Sequence, residues 1–154
     1  MESSVWSTGS NSTLRLSAAS ASSALSLLVL LLGTAYAQGT PQDWIKRILD
    51  PAKIGVPPPA GAAMNRKLTV DYLSKADPPK EIAIYMMPLD QLKAASDYFK
   101  GVLHIDPTTT GSGEFEIHRF EVNSGPAKGL LITLTRSQFV DNKVQITMEY
   151  MPPT

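Results

Sequence analysis

Apolar and polar side chains alternate along several stretches of this chain, the signature of strands buried on one face. Lys67–Leu73 puts Leu68, Val70 and Tyr72 on one side and Lys67, Thr69 and Asp71 on the other. Glu81–Met87 repeats the pattern with Ile82, Ile84 and Met86. The turn-rich Lys75-Ala76-Asp77-Pro78-Pro79-Lys80 lies between them, so the two stretches are expected as a hairpin. Gly129–Thr135, with Leu130, Ile132 and Leu134 in phase, and Lys143–Tyr150, with Val144, Ile146, Met148 and Tyr150, predict two more strands. Glu114–Val122 predicts another, with a fault in it. Phe115 and Ile117 share one phase and Phe120 and Val122 the other, which predicts a bulge near His118.

From Pro88 the period changes to that of a helix. Leu89, Leu92, Ala95, Phe99 and Leu103 gather on one face, and Asp90, Lys93, Asp97 and Lys100 occupy the other. Gly101 is suited to let this helix end. The following Pro107–Gly113 is polar and predicts a loop. The last hairpin carries a conflict. A two-residue turn at Asp141-Asn142 would set Leu130, Ile132 and Leu134 against Gln145, Thr147 and Glu149. The buried face governs register, so a longer loop or a bulge is expected around Ser137–Asn142, with Phe139 and Val140 at its tip.

Two elements precede this body. Thr40-Pro41-Gln42-Asp43 opens a short helix, capped by Thr40, with Trp44, Ile45, Ile48 and Leu49 on one side until Pro51 stops it. The stretch with Pro57-Pro58-Pro59 favours extended polyproline II and reads as a semi-rigid spacer. The expected fold is therefore α+β and two-layered. An antiparallel sheet of about five strands, in the order β-β-α-β-β-β, carries one main helix on one face, plus a short N-terminal helix.

The first residues concern address rather than fold. The apolar run Ala24–Leu32 is too short to cross a ~30 Å hydrocarbon core, and Ala35-Tyr36-Ala37 offers the small residues a signal peptidase accepts. Residues 1–37 are expected as a signal peptide, with Ala35 and Ala37 at the cleavage site and Gln38 the first mature residue. The mature chain then divides into a helical arm over 38–50, a Pro-rich linker over 51–64 and the α+β domain over 65–154. The location expected is the periplasm or the medium of a bacterium, with no stable membrane insertion after cleavage.

Charge narrows the partners. Fourteen basic residues balance fourteen acidic ones, and no basic stripe of the kind nucleic acid requires is visible. The chain has no cysteine, which excludes disulfides, thiol chemistry and lipid attachment at an N-terminal cysteine. Glu114, Glu116 and His118 alternate, but on an extended strand they would span about 13 Å, too far for one ion, so no metal and no cofactor is expected. No nucleophile elbow is present, and no catalytic residue can be assigned. Tyr85 and Met87 fall in the phase opposite Ile84 and Met86; with Trp44 they form a candidate interaction surface.

Val56-Pro57-Pro58-Pro59-Ala60-Gly61-Ala62, a strand pair and a helix ending Asp97-Tyr98-Phe99-Lys100 together resemble small exported bacterial domains of uncharacterised function. The resemblance covers about half of the mature chain and implies an α+β order and an envelope address. The expected function is a non-catalytic binding or interaction domain for a protein or small ligand. The alternatives are a small hydrolase-like enzyme using acids of the 104–118 region, and a self-associating envelope protein.

Overall fold

Leu130, Ile132 and Leu134 can share a face only if the backbone is extended, and the structure extends it there. A computed structural model describes Gly39–Pro152. The expected leader, with Ala35, Ala37 and Gln38, lies outside the described residues. The chain is α+β, with one antiparallel sheet of six strands where about five were expected. These are β1 (Ala63–Met64), β2 (Glu81–Pro88), β3 (Thr108–Thr110), β4 (Ile117–Glu121), β5 (Leu130–Arg136) and β6 (Lys143–Tyr150). They lie in the order β1-β2-β6-β5-β4-β3. The helices are α1 (Pro41–Lys46), α2 (Arg66–Lys75) and α3 (Leu92–Leu103), with short 3-10 turns before and between elements.

The β5–β6 register runs as the buried faces require. Ile132 faces Met148 and Leu134 faces Ile146, and the connection is long enough to leave Phe139 and Val140 exposed at its tip. Ser137 holds that tip: its Oγ accepts from the amides of Phe139 and Val140. The main core fills the face under α3, where Phe99 meets Phe120 with ring centroids 6.0 Å apart.

Lys67–Leu73 is a helix, not a strand. Leu68 and Tyr72 fit an alternating period as well as a helical one, but Leu68, Thr69 and Leu73 are buried together, which only the helix allows, and local capping with tertiary contacts fixes it. Asn65 Oδ1 caps α2 by accepting from Leu68 N at 3.1 Å. Thr69 Oγ accepts from Ile84 N at 3.0 Å, and Asn65 N donates to Ile84 O at 2.8 Å, so α2 is fastened along the edge of β2. Leu68 and Leu73 pack on Ile82 and Ile84, whereas Ala83, Tyr85 and Met87 point into the main core. Over β2 the fold thus has helices on both faces, where a single helical layer was expected.

The segment expected as arm and linker is also part of the body. Arg47 O accepts from Ile82 N and Leu49 N donates to Ile82 O, so this segment pairs in parallel beside β2. Leu49, Ile54 and Val56 are buried in the main core, and Tyr98 Oη donates to Pro57 O at 3.0 Å. The described residues, Gly39–Pro152, accordingly belong to one compact unit rather than to arm, spacer and domain. Two local expectations fail as well. β4 pairs without a bulge, because the chain before Ile117 is a 3-10 turn that leaves Phe115 and Ile117 exposed. The helix α3 passes Gly101 and ends at His104, which adopts the left-handed conformation with φ 56°.

Candidate functional site

Ser96 sits on the buried face of α3, one turn from Leu92 and from Phe99, and is 5% exposed. His118 shares its strand phase with Phe120 and faces the same helix. Two polar side chains on core-facing positions must satisfy each other. They do: Ser96 Oγ lies 2.8 Å from His118 Nδ1. The other ring nitrogen, Nε2, lies 3.0 Å from Glu116 Oε1. A carboxylate can only accept, so Nε2 carries a proton; in the neutral ring Nδ1 then accepts from the Ser96 hydroxyl. Glu116 follows the 3-10 turn Gly113–Phe115 with extended dihedrals, so two residues before His118 it projects from the same face of the strand. The contact joins neighbours two apart on one strand face, the ordinary reach of an alternating pair.

This chain of hydrogen bonds lies in an open cleft of about 620 Å³ between α3 and the β3–β4 edge of the sheet. Lys93 and Lys100 stand on either side of Ser96 along α3, and Thr109 of β3 faces them across the gap. Lys93 Nζ pairs with Asp97 at 2.7 Å, and Lys100 pairs with Asp106 from the following loop. The hydrogen bond from Lys93 holds the Asp97 carboxyl below the ordinary carboxylate range, with the charges of Lys93 and Lys100 adding to it. The hydrogen bond and charge of Asp106 raise the Lys100 ammonium above its ordinary range. Leu92 and Pro107 give the cleft its apolar wall. Two smaller grooves, of about 450 and 350 Å³, flank the exposed ring of Phe139 beside α2.

The surface inferred from sequence does not form. Tyr85 and Met87 are 6% and 5% exposed and belong to the main core, because the strand that carries them has packed elements on both faces. Burial, with Asp50 nearby, pushes the Tyr85 hydroxyl above its ordinary range. Trp44 is partly buried against the smaller cluster under α2. Among the described residues, no group of three or more His, Asp or Glu side chains could hold a metal ion. No described helix is long and apolar enough to cross a membrane.

Ser96 escaped the sequence reading, yet a signal for it existed. A serine on the apolar stripe of a helix, and a histidine on the apolar phase of a strand, each need a partner; together they name one another. No family model, no curated protein and no solved structure matches this chain.

Proposed function

We propose that this chain is an exported domain, periplasmic or secreted, that binds a small polar ligand in the cleft between α3 and the β3–β4 edge. The observation that supports this reading is the hydrogen-bonded Ser96–His118–Glu116 chain lining an open cavity of about 620 Å³. Pockets of this size suit small ligands, and the lining here is mostly polar and charged, with Leu92 and Pro107 as its apolar part, which favours a polar ligand. The export reading rests on the Ala24–Leu32 run and the Ala35-Tyr36-Ala37 tripeptide. The charge balance favours neither nucleic acid nor an anionic membrane surface as partner.

Native mass spectrometry of the protein recovered from its own host tests both halves of the proposal. A polypeptide matching 38–154 with a small added mass, lost on substituting His118→Gln, is the expected result. A mass retaining residues 1–37 overturns cleavage. An added mass that survives the substitution, or a second copy in its place, overturns the cleft as the binding site.

A further inference from the structure

We propose that the cleft carries acyl-transfer chemistry, with Ser96 as nucleophile and His118 as its general base, on small esters. The inference rests on the cleft being the working site of the domain. A nucleophile, a base within hydrogen-bond reach and a third group orienting that base are the parts such chemistry needs. Here they are Ser96 Oγ, His118 Nδ1 at 2.8 Å, and Glu116 Oε1 at 3.0 Å from Nε2. They come from α3, from β4 and from the turn before it, so only the folded chain assembles them. Glu116 is a positioning residue: by accepting from Nε2 it leaves the Nδ1 lone pair aimed at the serine.

The balance of the reaction follows from these atoms. Ser96 Oγ bonds to the acyl carbon while its proton passes to His118 Nδ1. The tetrahedral oxyanion collapses, the ester C–O bond breaks, and the alkoxide leaves with the proton from His118. Water then attacks the acyl-serine, giving its proton to His118, which returns it to Ser96 Oγ as the carboxylic acid departs. The amides of α3 are consumed in the helix, so the oxyanion is met by side chains. Lys93 and Lys100 are the cations nearest in sequence on the cleft side of α3, and their ion pairs with Asp97 and Asp106 lie at the surface, where such pairs are weak and readily exchanged. Mobile ammonium groups stabilise an oxyanion less than fixed backbone donors do. This limits the reaction to esters with good leaving groups, and excludes peptides. The short apolar wall of Leu92 and Pro107 suits a short acyl chain.

The probe is p-nitrophenyl acetate, applied to the 38–154 polypeptide. The expected result is release of p-nitrophenolate together with acetylation mapped to the tryptic peptide containing Ser96. Ser96→Ala should remove that adduct, and His118→Gln should lower the rate by about 10²-fold, the scale of general-base catalysis. Glu116→Gln should displace the pH–rate profile, and Glu116→Asp should restore it, which a merely structural role would not do. His104 is an exposed imidazole without a serine partner and serves as the internal control. Release that follows His104→Gln instead of His118→Gln overturns the proposal. Should His118→Gln fail to fold, the adduct map on the unsubstituted protein decides: acetyl on Ser96 supports the proposal, and acetyl only elsewhere overturns it. A small native ligand retained while Ser96 stays unacylated also overturns it, and leaves the binding reading standing.

Discussion

His118 illustrates how much one ring nitrogen depends on backbone a few residues away. Glu116 meets it from two residues back on the same strand face, and the chain enters that strand through a tight turn at Gly111–Phe115 that Gly111 makes possible. Its φ is +79°, and a Cβ there would stand 2.2 Å from the Phe115 carbonyl oxygen. Gly111→Ala is expected to cost about 1–3 kcal/mol of stability by urea denaturation, and to weaken the Glu116–His118 contact. An unchanged midpoint would mean the turn relaxes without strain. The ion pairs bordering the cleft set a pH dependence. Asp97 is held below its ordinary value of 3.8, so its contribution is present above that value and is lost as pH falls through the lower folded-state value. Lys100 is raised above 10.5, so its contribution is present below that value and is lost as pH rises through the higher one. Asp97→Asn should flatten the acid limb of a melting-temperature profile, and Asp106→Asn the alkaline limb. Both residues are solvent-exposed, so the effects are expected to be small and to shrink in high salt.

At the level of elements, the outer edge of β2 governs the arrangement. A bare edge would expose unpaired amides and carbonyls to other chains. Here Arg47 and Leu49 close one end, Asn65 and Thr69 the middle, and β1 the far end. Thr69→Val removes the acceptor of a buried Ile84 amide and should destabilise the domain by about 1–3 kcal/mol, read by chemical denaturation. The same contacts explain why Lys67–Leu73 coils. Its alternation was legible, but Leu68 and Leu73 lie in opposite strand phases and bury in one cluster only from a helix, which the Asn65 cap and the Thr69–Ile84 bond favour. The helix α3 was legible in its place and its buried face, though not in its two ends, because Ala95 and Phe99 with their half-buried neighbours form an unambiguous stripe. Phe99→Ala should cost about 3–5 kcal/mol, since the ring is wholly buried against Phe120.

For the whole molecule, the question is whether the N-terminal segment belongs to the cooperative unit. Leu49, Ile54 and Val56 are buried in the same core as Phe99 and Ile146. Burying each such side chain contributes about 1.5–3 kcal/mol, an appreciable share of a small domain's net stability. A polypeptide beginning at Asn65 should therefore not fold, and in the 38–154 polypeptide Trp44 fluorescence and far-ultraviolet dichroism should melt together. A separate early transition of Trp44 would restore the detachable arm.

Strands β2, β5 and β6 and the helix α3 were written in local periodicity, and so was the β5–β6 register, because a one-residue slip would turn every buried side chain to solvent. A balanced charge and the lack of cysteine likewise needed no coordinates. The helical state of Lys67–Leu73, the docking of 47–56 and the burial of Tyr85 and Met87 were decided by tertiary contacts. Each depends on which distant surface is present to receive an apolar face, and a local pattern does not carry that information. The meeting of Ser96 with His118 belongs to the same class. Each residue lies on a legible face, but their 2.8 Å approach exists only because α3 packs across the sheet that β4 completes.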